Sequence, residues 1–531
     1  MNCIKKLNEK IEGIGKRWEL VLVILLSALM VLGIIIGMGT LTSGYHLVDD
    51  HEFLEWIHQM RNEGKSVWEL IARKLRQDFT LRYEPAYYAT RILSTCIFGV
   101  GLTGYSLVKA AEITIACIFL YYCGRRMGAT KFYSFLFAAL SLVGYQSAAW
   151  WKLGPQESQC TMFFAVGFYC MLRYLENQRK IWAVLSIVLF FIMSNFKESF
   201  ILLIPFLMLY VLYSELQKDG ETALTWRRIW KCIRNRFWYL LTLGLIFLVL
   251  VFVIVVFVGV NDYDMVGLDA SIPLKVYAEA LQRSFANDLK WYKRFGILFI
   301  LILLTYWEDL KKLWKEMLLA ASFLLPQLVI FGQTGLGERY ILPSSIGAAL
   351  FFVIIIPKWK PLSGKRRMVY VLGLWLLLAA HGRVALREAD YFRYRGQSVN
   401  TMLETVLEWS DQDTKVLSCF RPNEEGNLTL NYWMLVHGYD NVYFWTEEEQ
   451  LINRVCDVNL DYPDEMMEEQ DYDDMDIVVM YNQEDRHWCY TPTVDLSDFT
   501  EVECGTLTLY VRKDSGIVPE DIEIEGLRIH F

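Results

Sequence analysis

The chain has 531 residues, 54% of them hydrophobic and 15% aromatic, with 18 Trp, and a mean hydropathy of +0.26. Soluble proteins of this length rarely average above zero, and runs such as VLVILLSALMVLGIIIGMG and YLLTLGLIFLVLVFVIVVFVGV are each long enough to cross about 30 Å of hydrocarbon as helix. The net charge of −8 is uneven, with acid gathered after residue 400 in TEEEQ and DEMMEEQDYDDMD and base in short stretches between apolar runs; this argues against nucleic acid as a partner and for an oriented protein of the lipid bilayer.

In chain order, the apolar run at 19–40 is too long for the core of a cleavable signal and is expected to stay as a first transmembrane helix. The segment 41–101 follows. It opens with SGYHLVDDHEF, which sets the adjacent carboxylates Asp49 and Asp50 among His46, His51 and Glu52. Further on, WELIARKLRQDF has apolar residues at helical spacing with a charged face, and ILSTCIFGVG is interrupted upstream by Arg91. One or two helices lying along the outer surface fit this segment better than a span. Ten more candidate spans follow at 102–123, 131–149, 159–175, 181–195, 199–214, 238–260, 293–307, 316–332, 341–357 and 368–381, giving about eleven.

The basic stretches KKLNEKIEGIGKR, CGRRMGATK, ENQRK, TWRRIWKCIRNR, DLKKLWK and PKWKPLSGKRR all fall on one side if the N-terminus is cytoplasmic. The other side then receives 41–85, the turns WWKLGPQES and NFKES, 261–292, FGQTGLGERY and everything after the last span. From 382 onward the pattern changes. YFRYRGQSVNTMLETVLEWS reads as a helix, and KVLSCF, NVYFW, DIVVMY, HWCYTP and LTLYVRK as short strands. The expected fold is therefore a polytopic all-α membrane domain over 1–381, including the outer loop 41–101, followed by a small extracytoplasmic α/β domain over 382–531. No internal repeat is evident. The 11 cysteines contain no CxxC pair; Cys419, Cys456, Cys489 and Cys504 lie in the last domain, where disulfides and free thiols both remain open.

The outward ends of the spans carry charge, which is expensive at membrane depth and marks a cavity, pathway or site. Lys152, Gln156 and Glu157 lie between the third and fourth spans, Asn195, Lys197 and Glu198 in a tight turn, and Glu338, Arg339 and Tyr340 just before the tenth span. Arg82 and Glu84 lie in the outer segment. Plainer uses are open beside the functional one: Asp49 or Asp50 suits the first turn of a helix beginning HEFLEWIHQM, and Arg339 suits an interfacial anchor. His46 and His51, with Asp50, are candidate ligands for a divalent ion.

This set resembles the GT-C superfamily of integral membrane glycosyltransferases, which use polyprenyl- or dolichyl-phosphate sugars and include mannosyl- and arabinosyltransferases. The resemblance covers about 19–381. It rests on an acidic motif soon after span one (Asp49-Asp50), surface helices in the same loop, a Lys-Glu element in a middle outward turn (NFKES), and a late outward arginine beside tyrosine (GERYILPS). The doubled acid followed by His differs from the simpler Asp-Glu form and leaves open which aspartate holds the catalytic position.

The resemblance implies inverting transfer of a sugar from a polyprenyl-phosphate donor to an acceptor hydroxyl or amine on a glycan, lipid or protein, at the outer face of a plasma membrane, in building the cell envelope. Asp49 or Asp50 would be the base, with Asp49 favoured. Lys152, Lys197, Arg339 and Arg82 would meet the lipid phosphate. Glu157 and Glu198 would hold those cations or sugar hydroxyls, and Tyr45, Tyr83, Trp150, Trp151 and Tyr340 would pack on sugar faces. Magnesium or manganese is required by only part of the superfamily. The rivals are a transporter, a polymerase or ligase of lipid-linked glycans, and a non-catalytic scaffold.

Overall fold

The computed structural model describes residues 10–78, 83–218, 225–258, 275, 279, 314–330, 338–359, 364–420, 425–445, 451–453, 474–482 and 496–529. The first span is α1 (Lys16–Met38), which ends on Gly39 at φ +81°, a left-handed stop suited to glycine. Three helices then lie in the outer segment, α2 (His51–Arg61), α3 (Val67–Asp78) and α4 (Pro85–Phe98), where one or two were expected. Next come α5 (Leu102–Arg126), α6 (Lys131–Leu142), α7 (Glu157–Asn177), α8 (Lys180–Ser194), α9 (Ile204–Lys218), α10 (Trp226–Asn235), α11 (Phe237–Val253), α12 (Trp314–Ile330), α13 (Leu342–Ala349) and α14 (Gly364–Trp409).

Among the described residues six helical stretches are long and apolar enough to cross a membrane, or seven if α6 and the bent segment after it, Tyr145–Trp151, count as one span. Those two meet at 67°, and Gly144 between them sits at φ +141°, open only to glycine. The expected span at 293–307 lies outside the described residues. Large apolar side chains point outward on several of these helices: Leu29 is 69% exposed, Trp238 76% and Leu376 62%. Such a surface is unfavourable in water and suits hydrocarbon contact. The chain is a polytopic, largely α-helical membrane protein.

The boundary expected at 381–382 falls inside α14, a single helix of 46 residues. Beyond it lies a six-stranded sheet of order β3-β2-β1-β4-β6-β5, built from β1 (Val416–Ser418), β2 (Val442–Trp445), β3 (Leu451–Asn453), β4 (Ile477–Tyr481), β5 (Phe499–Cys504) and β6 (Leu507–Arg512), with α15 (Glu425–Val436) between β1 and β2. The β1 strand pairs in parallel with β2 and β4, and the other pairings are antiparallel. The sequence FTEVEC was not expected as a strand; among the described residues β5 pairs only with β6, and its buried Phe499, Val502 and Cys504 are separated by two exposed polar residues and then by one, so the period-two signal of a strand is weak. HWCYTP lies outside the described residues. Cys419 and Cys504 are free and buried; Cys456 and Cys489 lie outside them. The sheet core takes in Val399, Met402 and Leu403 from α14 and Tyr45, Leu47 and Leu54 from the outer segment.

Candidate active site

The loop between α1 and α2 has no regular secondary structure, so side chains set its path. Gly44, at φ +92°, lies hard against Asn400 of α14, whose Oδ1 accepts the Tyr45 N–H at 3.1 Å. Asp50 takes the N-cap position of α2 but makes no cap bond. Its carboxylate turns back instead, accepting the His46 N–H at 2.5 Å and the Val48 N–H at 3.2 Å. A carboxylate used this way folds its own loop. Asp50 is fully buried, whereas the Asp49 side chain is 40% exposed. The two aspartates therefore separate, one holding the loop and one facing outward.

Asp49 adopts φ +55°, a left-handed conformation that Asp tolerates better than most residues. Three distant segments hold it there. Its N–H donates to the Glu425 carboxylate at the start of α15. Its carbonyl accepts from the Arg91 guanidinium of α4. Its carboxylate lies 3.5 Å from Arg339 Nη2. Arg339 Nε is in turn 3.7 Å from Glu157 Oε1, and Lys197 Nζ is 3.1 Å from that same oxygen. The charges alternate along Asp49, Arg339, Glu157 and Lys197. Like charges are thus kept apart where burial weakens the screening by water.

The aromatic ring of Tyr340 lies under both cations, 4.9 Å from the Arg339 guanidinium carbon and 5.5 Å from Lys197 Nζ, and its hydroxyl accepts from Arg339 Nη2 at 3.2 Å. Lys152 stands beside this row, pairing with Glu338 and lying 4.3 Å from the Phe392 ring centre. Glu198 is half-buried at the start of the single turn Glu198–Ile201. Arg82 lies outside the described residues. Gln156 donates to Glu84 at 2.6 Å, and Tyr83 donates to Asn195 at 2.8 Å, tying the outer segment to the two turns. Trp150 and Trp151 are fully buried in the helical core. Tyr45 is buried too, edge-on to Trp433 at 6.2 Å.

Burial pushes the Asp49 carboxyl up, but Arg339, Arg91 and Lys197 outweigh it and hold the pKa down to about 2, so Asp49 is ionised. Burial and the Glu425 charge push Asp50 up to about 6, against the lowering effect of its two N–H bonds. For His51 burial favours the neutral ring, yet Glu425, Glu52 and Asp49 prevail and raise it to about 9. Burial, with Arg395, Lys152 and Lys109 nearby, drives His46 down to about 3. One histidine is therefore a cation and the other neutral.

Of the candidate metal ligands, Asp50 and His46 already have partners within the loop. Both Asp50 oxygens accept backbone N–H groups, and His46 Nε2 is bonded to Ser43 Oγ at 2.8 Å. Among the described residues no group of three or more His, Cys, Asp or Glu side chains is arranged to hold a metal ion.

Two contributors escaped the sequence reading. Arg91 had a signal, as the one charge breaking an apolar run; it is buried, 3.2 Å from Glu52 Oε2 and 4.2 Å from the Phe53 ring centre. Glu425 had none, because an acid opening a helix needs no further role.

No family model and no curated protein matches the sequence. Among solved structures the chain is similar to the crystal structure of ArnT from Cupriavidus metallidurans bound to undecaprenyl phosphate, at 12% identity and a TM-score of 0.48, covering 96% of this chain and 100% of that one. The apo state of the same protein gives 12% identity and 0.48, over 94% and 99%. The apo oligosaccharyltransferase of Archaeoglobus fulgidus gives 11% identity and 0.49, over 95% of this chain and 76% of that one.

Proposed function

We propose that this chain is a GT-C-type glycosyltransferase that moves a sugar, with inversion, from a polyprenyl-phosphate donor to an acceptor hydroxyl or amine. The reaction takes place on the membrane face opposite the basic loops, with the N-terminus cytoplasmic and the sheet domain outside. One observation carries this reading: an ionised, solvent-accessible Asp49 flanked by Arg339 and Lys197, which come from separate parts of the chain.

Asp49 takes the acceptor proton as the acceptor atom bonds to the anomeric carbon. The bond from that carbon to the phosphate oxygen breaks, and the electron pair leaves with the lipid phosphate. A carboxylate held near 2 is a weak base toward a free hydroxyl, but the acceptor proton becomes acidic as its bond to carbon forms. Arg339 and Lys197 receive the charge that grows on the leaving oxygen. Arg339 also touches Asp49, so its engagement with phosphate raises the proton affinity of the carboxylate at the moment it is needed. Glu157 holds the two cations in place beforehand. The donor tail lies along apolar helix faces, which accounts for a site at membrane depth.

The test is transfer by the purified full chain with a panel of polyprenyl-phosphate sugars. Asp49→Asn is expected to lower turnover by about 10²–10⁴-fold, and Arg339→Ala by about 10²-fold or more. Undiminished transfer by Asp49→Asn removes Asp49 as the base. Ion-coupled solute uptake with no transfer replaces the enzyme by a transporter.

A further inference from the structure

We infer that Glu425, in the C-terminal sheet domain, is a positioning residue for Asp49, so that this domain completes the catalytic centre. The inference rests on the base role proposed for Asp49.

The geometry begins with two helices. His51, at the start of α2, lies with its Nδ1 3.6 Å from Glu425 Oε2 at the start of α15. Further along the same pair, His58 packs on Tyr432 with ring centres 6.2 Å apart, and Asn62 Nδ2 donates to the Leu435 carbonyl at 2.8 Å. The contacts advance in the same chain direction on both helices, so α2 and α15 lie parallel with their N-terminal ends together. Two positive helix ends then point at one spot, where Asp49, Asp50 and Glu425 gather. This field, with His51, Arg339 and Arg395, offsets the repulsion of three acids in one place.

A plain N-terminal role would set the Glu425 carboxylate on the N–H groups of its own helix. It instead accepts the N–H of Asp49, in a segment far away in sequence. That bond matters because Asp49 is held at φ +55°, a conformation with little intrinsic preference that persists only where neighbours impose it. Releasing the N–H frees the peptide to turn, and the carboxylate turns with it. His51 Nδ1 stands 3.6 Å from the same Glu425 oxygen, and its charge favours keeping that oxygen where the Asp49 N–H meets it.

The experiment uses the full chain in nanodiscs, with Glu425→Ala, Glu425→Gln and Glu425→Asp. Glu425→Ala is expected to lower kcat by about tenfold or more, with the donor KM changed by no more than about twofold. It is also expected to speed deuterium uptake across residues 45–53. Glu425→Gln keeps an oxygen that accepts the Asp49 N–H and should restore most of kcat and the slow uptake. Glu425→Asp draws the oxygen back by one methylene and should behave like Glu425→Ala, which also covers failure of the alanine variant to fold. Equal uptake across 45–53 in wild type and Glu425→Ala, or in Glu425→Asp where the alanine variant does not fold, overturns the inference. So does a fall in kcat that Glu425→Gln does not relieve. If the wild type transfers no sugar at all, the proposed reaction fails, while the exchange comparison still decides whether Glu425 holds Asp49.

Discussion

The guanidinium of Arg91 joins two loops through their main chains: it donates to the carbonyl of Asp49 and, through Nη1 at 2.5 Å, to the carbonyl of Gly154. Arg91→Ala leaves both carbonyls and Glu52 without their buried cation. The expected loss is about 3–5 kcal/mol, read as a lowered thermal unfolding midpoint in detergent. Arg91→Lys keeps the charge but lacks the planar fork that serves both carbonyls. It should retain more stability than Arg91→Ala while losing much of the turnover.

Asp50→Asn should separate the two aspartates by thermodynamics. Asn keeps one acceptor oxygen and turns an NH₂ toward a backbone N–H of His46 or Val48 that now goes unpaired. Leaving one buried donor unsatisfied costs about 1–3 kcal/mol. The activity of Asp50→Asn should therefore fall together with the unfolding midpoint and recover on cooling. Asp49→Asn loses a stabilising charge of its own, but its turnover should be lost at every temperature, including well below its unfolding midpoint.

Gly154 lies directly beneath the loop. A Cβ placed there would sit 2.6 Å from the Asp49 Cβ and would collide with the Val48 carbonyl oxygen. Backbone on one side and a pinned residue on the other leave it no room to move. Gly154→Ala should destabilise by about 1–3 kcal/mol and displace Asp49 enough to remove most activity. Unfolding and kcat measured on the same preparation check this.

His51 predicts a pH dependence on the alkaline side. Its folded pKa, raised from 6.5 to about 9 chiefly by Glu425 against the effect of burial, favours the folded chain while the ring is protonated. This contribution is complete below about pH 6.5 and is lost as pH rises toward 9. The unfolding midpoint should fall across that window, and His51→Gln should flatten the fall. Asp49 acts in the opposite sense: its contribution is present above about pH 4 and is lost as pH drops toward 2.

Much of this molecule was readable because its strongest signals are local. Apolar runs and basic stretches between them mark where helices cross, and polar residues in tight turns must gather at helix ends. Asp49, Glu157, Lys197 and Arg339 could be assembled on one face for that reason. The inward turn of Asp50 was not readable, since it depends on a left-handed backbone at Leu47 and Asp49. Nothing local in RPNEEGN ties Glu425 to a loop near the other end of the chain. The burial of Trp150 and Trp151 was not readable, because a tryptophan pair near a span end reads equally as interfacial or as core. The long α14 was hidden by composition: its apolar half ends near residue 381, where Gly382 reads as a stop, yet the helix runs on through it.

That uninterrupted helix has a mechanical consequence. At about 1.5 Å per residue, the 46 residues of α14 make a rod of about 70 Å, more than twice the roughly 30 Å of hydrocarbon. Its apolar N-terminal half suits contact with lipid, while its C-terminal half packs on the sheet and lies against the loop before Asp49 through Gly396 and Asn400. One way a helix meets a bilayer of different thickness is by tilting, and a tilt of this rod is carried to where the sheet and the α1–α2 loop meet. Turnover should therefore respond to acyl chain length in the surrounding membrane even with donor and acceptor held constant.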